Sequence, residues 1–239
     1  MSLFGRKRKG PQAPGCAMVV VAAGSSQRMG QDKMFLELDG RPVLAHTLAA
    51  LEASDRVEEI VVVTREDLVG PVAALAREMA LTKVTKVVRG GATRVESAQL
   101  GVGEVSPQAK LIGIHDGARP FVSSQVMERV VDKAAQTGAA APAIPVQDTI
   151  KVAVNGVVDH TPDRATLFAV QTPQMFDGDL IRGALTKAMQ DNAPLTDDCS
   201  AVERLGMPVS LVEGDRSNIK LTTPADLAVA RVILEGWNQ

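Results

Sequence analysis

The stretch Ala17-Met18-Val19-Val20-Val21-Ala22-Ala23-Gly24-Ser25-Ser26-Gln27-Arg28-Met29-Gly30-Gln31-Asp32-Lys33 decides the reading of the fold. Its first five residues form a continuous apolar run, as in a strand of a parallel sheet buried on both faces. The run breaks into small residues at Ala22-Ala23-Gly24. In an open α/β sheet, ligands bind beyond the carboxyl ends of the strands. A small, glycine-rich loop at that place lets backbone N–H groups approach an anion. Arg28 and Lys33 add two cations five residues apart. The combination suits a polyphosphate and the charge that develops at phosphorus during transfer. Two familiar phosphate loops do not match. A dinucleotide fingerprint needs a glycine between Gly24 and Gly30, and there is none. A Walker loop needs four residues between its glycines, then Lys-Ser or Lys-Thr; here five intervene and Gln31-Asp32 follow. Taken alone, the segment is also compatible with an ordinary connection bearing two solvated cations.

Outward from this loop the chain alternates strand with helix. Strands are expected at 17–21, 59–64, 84–88, 111–115, 139–144, 167–170 and 208–212. Helices are expected at 43–53, 69–80, 94–101, 124–137, 178–189, 200–205 and 224–234, with Ser123 as an N-cap and Pro224 in a first turn. This rhythm implies an α/β fold: a Rossmann-like, doubly wound, mostly parallel sheet with helices on both faces. Residues 147–171 interrupt it. Thr149–Val154 and Val157–Thr161 flank Asn155-Gly156, a type I′ hairpin signal. An inserted β-hairpin arm needs a partner for its apolar face, and a second subunit is one candidate.

Composition bounds the alternatives. The 239 residues contain 45% hydrophobic residues and 26 basic against 28 acidic side chains, a net charge of −2, which excludes a disordered chain. Arg6, Lys7, Arg8 and Lys9 give the first ten residues +4, leaving −6 for the rest. We expect residues 1–16 to be a disordered basic tail and 17–239 a single domain. The apolar run after the tail is too short for a secretory signal. No apolar run reaches 18 residues, so no membrane span is expected. Five Phe, one Trp and no Tyr leave little for stacking nucleic-acid bases. Cys16 and Cys199 lie far apart and read as reduced thiols of a cytoplasmic protein. His46, His115 and His160 have no zinc-ligand spacing. Asp116 closes an apolar strand at its carboxyl end, where it can meet a substrate, a ribose or a phosphate-bound Mg²⁺. It can also simply pair with Arg119. Asp197-Asp198 read as a carboxylate cluster at a helix start in preference to a metal pair.

Further segments complete a pattern: Gly90-Gly91-x-x-Arg94-x-x-Ser97, His115-Asp116-Gly117-Ala118-Arg119-Pro120, Asp148-Thr149-Ile150-Lys151, Gln171-Thr172-Pro173-Gln174, Thr196-Asp197-Asp198 and Val212-Glu213-Gly214…Asn218-Ile219-Lys220-x-Thr222. With the glycine loop, their order and spacing resemble the 2-C-methyl-D-erythritol 4-phosphate cytidylyltransferases, within the nucleotide-sugar type of nucleotidyltransferase. The resemblance covers about residues 17–235. It implies transfer of CMP from CTP to 2-C-methyl-D-erythritol 4-phosphate, with release of pyrophosphate, in non-mevalonate isoprenoid biosynthesis. The alternative acceptor is ribitol 5-phosphate, whose cytidylyltransferases share part of the pattern. A rival of another class is a sugar-nucleotide binder without activity. A fused downstream cyclase is not expected.

The resemblance also implies roles. Arg28, Lys33 and Lys220 would be the catalytic cations. Ala22, Ala23, Gly24, Gly90, Gly91, Ser97 and Asp116 would bind the nucleotide. Asp116, Arg119, Thr149, Arg164 and Thr172 would bind the acceptor, with Arg164 as a bidentate fork on its phosphate. Mg²⁺ would be held mainly by phosphates, with Asp116 as the one protein candidate. The arm would make a homodimer, and no nucleic acid or membrane partner is implied. Several positions depart from the pattern. Asp32, Met34, Gly117, Ala92 and Cys199 stand where Pro, Gln, Ala, an acid and a small residue are usual.

Overall fold

A computed structural model describes residues 14–24 and 34–237. The expected roles of Arg28 and Lys33 therefore lie outside the described residues, as does the tail through residue 13.

The first strand, β1 (Cys16–Val21), is buried along its whole length. It begins at Cys16, one residue inside the expected tail; the Cys16 thiol donates to the Arg56 carbonyl. A small hairpin follows, β2 (Glu37–Leu38) and β3 (Arg41–Pro42), which the sequence reading missed because two-residue strands carry no periodicity. Next come α1 (Val43–Glu52), β4 (Val57–Thr64), α2 (Val69–Glu78), β5 (Val84–Arg89), α3 (Arg94–Glu104), β6 (Leu111–Asp116), α4 (Ser124–Thr137) and β7 (Ala139–Pro145). The arm is β8 (Val152–Val154) and β9 (Val157–His160). The chain returns through β10 (Phe168–Val170), β11 (Gln174–Asp177), α5 (Gly178–Gln190), α6 (Cys199–Glu203), β12 (Ser210–Glu213) and α7 (Pro224–Trp237).

The main sheet runs β10-β7-β11-β6-β1-β4-β5, with β12 also paired to β7. β1 is parallel to both β4 and β6, β5 to β4, and β12 to β7. β10 and β11 run antiparallel to β7, and Gln171-Thr172-Pro173 separate them. The sequence reading missed β11, whose four residues directly abut α5 and lack alternation. The fold is thus α/β with a mostly parallel sheet, in which β10 and β11 are the antiparallel strands.

Alternate residues of β1 serve opposite cores. Met18 and Val20 pack with Leu44, Leu48, Met127 and Val130 from α1 and α4. Ala17 and Val19 pack with Ala98, Val102, Ile181 and Leu185 from α3 and α5. A third cluster around Leu38, Val43, Phe121, Leu221 and Ala230 anchors α7. On the α3 side the approach is close. A Cβ at Gly101 would lie 2.4 Å from Val19 Cγ1 and 2.5 Å from Val63 Cγ2.

The arm pairs only with itself among the described residues. Asn155 and Gly156 have φ of 51° and 79°, the two positive values a type I′ turn needs. Val154, Val157 and Val158 are 60%, 71% and 54% exposed, so the described residues leave more than half of each open.

Candidate active site

Residues at and beyond the carboxyl ends of β1, β5 and β6 line one cavity of about 320 Å³. Among the described residues, its lining includes Ala23, Gly24, Met34, Gly91, Ala92, Arg94, Ser97, Asp116 and Lys220. The strands explain the convergence. Gly117 N–H donates to the Val21 carbonyl, Ala22 N–H to Val63, and Gly90 N–H to Thr64, so three bonds tie the exits of β6, β1, β4 and β5 side by side. Gly90 must be glycine for packing: a Cβ would sit 2.7 Å from both Ala23 Cβ and Ser97 Oγ. Ser97 Oγ accepts from Gly91 N–H at 3.2 Å and donates to the Thr93 carbonyl at 2.9 Å. Thr93 caps α3, and the Glu96 carboxylate accepts from Ala92 N–H at 2.7 Å. Of the expected nucleotide-binding residues, Ala23, Gly24, Gly91, Ser97 and Asp116 line one space. Ala22 is buried beside it and Gly90 packs behind it.

Asp116 is the electrostatic centre. Lys220 Nζ lies 2.9 Å and Arg119 Nε 3.3 Å from its Oδ2, and Arg94 Nη2 lies 3.6 Å from its Oδ1. Burial by itself would raise the Asp116 carboxyl; Lys220, Arg94 and Arg119 outweigh it and hold the group well below the usual carboxylate range. Burial pushes the Arg119 guanidinium down, with Asp116 opposing. The Asp116–Arg119 pair, the alternative to a substrate role, is present within a larger cluster.

Arg94 was visible in the glycine-pair motif, but no role was assigned to it. It forms a bidentate pair with Asp198, Nη1 to Oδ1 at 2.9 Å and Nη2 to Oδ2 at 2.7 Å. Burial pushes the Asp198 carboxyl up, and the Arg94 fork opposes it. Asp197 meets the helix-start expectation by accepting from Ser200 N–H at 3.0 Å. Asp198 corrects it, because its carboxylate serves Arg94 and makes no cap bond. Gln174 joins the two elements: its Oε1 accepts from Asp198 and Cys199 N–H, and its Nε2 donates to Asp197. Only the adjacency of β11, absent from the sequence reading, would have revealed this.

Below Asp116 lies His115, fully buried. Burial drives its pKa down to about 4, with the bond to Arg119 opposing, so the ring is neutral at neutral pH. Its Nε2 faces the Arg119 carbonyl at 3.1 Å, an acceptor only, so Nε2 carries the proton. Nδ1 must then accept from Thr172 Oγ at 2.9 Å. The same hydroxyl oxygen accepts Asp116 N–H at 3.1 Å. Thr172 was expected to contact the acceptor directly. Instead its hydroxyl proton is committed to His115, and its side chain supports the backbone of Asp116.

Thr149 and Arg164 are not brought to this cavity. Both are exposed on the arm segment, and Arg164 Nη1 donates to the Gln147 carbonyl at 2.8 Å. The acceptor pocket expected from them is not assembled by the described residues of one chain. No group of three or more His, Cys, Asp or Glu side chains among the described residues forms a metal cage.

Comparison with known proteins agrees with this architecture. The sequence model of the 2-C-methyl-D-erythritol 4-phosphate cytidylyltransferase family matches residues 16–236. The cytidylyltransferase of that name from Halalkalibacterium halodurans is 44% identical over 220 residues, covering 91% of this chain and 96% of its own. That from Symbiobacterium thermophilum is 42% identical over 229 residues, 95% of each chain. The crystal structure of 4-diphosphocytidyl-2C-methyl-D-erythritol synthase from Anaerococcus prevotii superposes with a TM-score of 0.83 at 30% identity, covering 93% of this chain and 96% of its own. For the Thermus thermophilus cytidylyltransferase these values are 0.77, 33%, 92% and 99%. By the extent of these matches, the chain belongs to the 2-C-methyl-D-erythritol 4-phosphate cytidylyltransferase family.

Proposed function

We propose that this protein transfers CMP from CTP to 2-C-methyl-D-erythritol 4-phosphate for isoprenoid biosynthesis, releasing pyrophosphate. The observation that carries the reading is the convergence of Arg94, Arg119 and Lys220 on Asp116 at the rim of a strand-end cavity. A phosphate monoester is largely dianionic at neutral pH, since its second pKa is about 6. It is therefore a competent nucleophile without a general base. Its oxygen bonds to the α-phosphorus of CTP while the bond to the β-phosphate bridging oxygen breaks and pyrophosphate leaves with the electron pair. The obstacle is repulsion between two anions, so fixed cations and positioning are what the reaction needs. Lys220 and Arg119 supply cations at the cavity, and Arg28 and Lys33 are the further cations that the family pattern implies. Ala23, Gly24 and Gly91 offer backbone contacts to the nucleotide. Ser97 holds the Gly91 N–H in place, which favours a fixed base-reading edge.

Asp116 suits Mg²⁺, because that ion takes one or two carboxylates and completes its shell with phosphates and water. Such an ion neutralises triphosphate charge when bound. Asp116 serves a second purpose as the anion that keeps three cations together before substrate arrives.

The homodimer belongs to the same proposal. The exposed valines of the arm favour an isologous contact that would bring Thr149 and Arg164 to a partner's acceptor site. Residues 17–239 would then act as one domain, with the basic tail outside the chemistry. Two buried thiols favour the reducing cytoplasm. Pyrophosphate release from CTP with each polyol phosphate tests the assignment. Release with ribitol 5-phosphate and none with methylerythritol phosphate would overturn it. Lys33→Ala should lower turnover by about 100-fold or more with an unchanged melting point, as expected for loss of a transition-state cation. Light scattering at micromolar concentration should give a dimer, and a monomer would remove the arm from the scheme.

A further inference from the structure

Lys220 sits on an irregular segment between β12 and α7, so neither strand nor helix bonds fix it. Two buried amides do so instead. Asn218 is 0% exposed; its Nδ2 donates to the Thr172 carbonyl at 2.9 Å, and its own carbonyl accepts from Arg119 Nη1 at 2.7 Å. Gln171 answers from the opposite segment. Its Nε2 donates to the Asp215 carbonyl at 2.7 Å, and its Oε1 accepts Asp215 N–H at 3.2 Å. Each segment thus holds the other's backbone through one side-chain amide. The approach is tight, since a Cβ at Gly214 would lie 2.5 Å from Gln171 Oε1. Among the described residues Asn218 Oδ1 is buried with no hydrogen-bond partner, which leaves the Thr172 carbonyl as the side-chain amide's one partner there. Leu221 N–H, donating to the Ala118 carbonyl at 2.9 Å, closes the far side of Lys220.

We infer that Gln171 and Asn218 form a reciprocal amide clasp that positions Lys220 against Asp116, and through it sets the turnover rate of the reaction proposed above, on which this inference rests. Both are positioning residues. The clasp joins the Thr172 support of Asp116 to the Arg119 anchor and to Lys220, so three site groups share one frame. Misplacing a reacting group by about 1 Å costs about 100-fold in rate.

The test compares the parent with Asn218→Ala, Gln171→Ala and the double variant. Turnover is counted per folded molecule, and backbone exchange is followed by deuterium uptake. Each single variant should lose about 10- to 100-fold in kcat while the KM for CTP stays within about threefold. The double variant should be no slower than the worse single one, as for residues acting as a unit. Amides of residues 214–221 should exchange faster in both single variants while β1 and β6 keep their protection. Unchanged exchange across 214–221, or kcat per folded molecule within about twofold of the parent, overturns the clasp. A parent that releases no pyrophosphate refutes the functional proposal instead, and the exchange comparison then decides the clasp by itself.

Discussion

Replacing Asp198 by Asn tests whether a buried carboxylate holds Arg94 for the site. The Asp198 side chain is 1% exposed and accepts both prongs of the Arg94 fork. The amide keeps the shape and one acceptor but turns an N–H₂ toward the guanidinium. One charge-assisted bond becomes a donor–donor contact, and Arg94 loses its nearest counter-charge. Removing one partner of a buried pair costs about 3–5 kcal/mol. The Arg94 side chain is 28% exposed, so water recovers part of its solvation. The relief of an expensive buried carboxylate offsets more, leaving about 2–3 kcal/mol. In a domain of this length each 1 kcal/mol moves Tm by about 2–4 °C, so a fall of about 4–12 °C follows. The freed guanidinium should turn to Asp116, already 3.6 Å from Nη2, where it competes with Lys220 at 2.9 Å. Pyrophosphate release should therefore drop about tenfold at a temperature where the variant is fully folded. Circular dichroism melting and a coupled pyrophosphate assay read the two effects. A Tm within about 1 °C of the parent, with full activity, would refute the reasoning.

Two further outcomes follow from packing and charge. Gly101→Ala should gain about 1 kcal/mol of helix propensity. It should lose about 2–3 kcal/mol to overpacking, because Val19 and Val63 are stiff and buried where the new Cβ would go. A urea midpoint at or above the parent's would contradict the close approach of α3. Asp116→Asn tests the depressed carboxyl. Ionised Asp116 stabilises the folded parent at neutral pH, and that contribution is lost progressively as pH falls below about 4, where the unfolded chain takes up the proton first. The stability gap between parent and variant, without nucleotide or metal, should narrow from pH 7 to pH 3. A constant gap would show that Asp116 is not held ionised by its three cations.

What the sequence revealed follows from how far each signal reaches along the chain. β1 and its glycine loop were legible because an apolar run and a small-residue break lie within a few residues of each other. The type I′ turn was legible for the same reason, since Asn155-Gly156 is a two-residue signal. β11 was not, because its four residues take their strand character from β6 and β7 on either side. With β11 went Gln174, and with Gln174 the placement of Asp197 and Asp198. Arg94 and Asp198 are 104 positions apart, and no spacing rule links them. Thr172 was placed near the right group, but its hydrogen-bond polarity depends on which nitrogen of His115 faces the Arg119 carbonyl. That fact exists only in three dimensions.

Three of the departures from the family pattern, Met34, Gly117 and Ala92, are explained by the same kind of proximity. Met34 and Gly117 are far apart in sequence, yet a Cβ at Gly117 would lie 3.2 Å from Met34 Sδ and 3.1 Å from Ala22 Cβ. The thioether occupies buried space that an alanine at 117 would contest, so the two departures form one packing solution under the strand exits. Ala92 lacks an acidic side chain, but its N–H is held by Glu96, which α3 supplies from the next turn. The loop beside the cavity therefore keeps its backbone without needing a carboxylate at 92. Apolar volume and helix capping thus accommodate Met34, Gly117 and Ala92 in this chain, while Arg94, Arg119 and Lys220 share one carboxylate, Asp116.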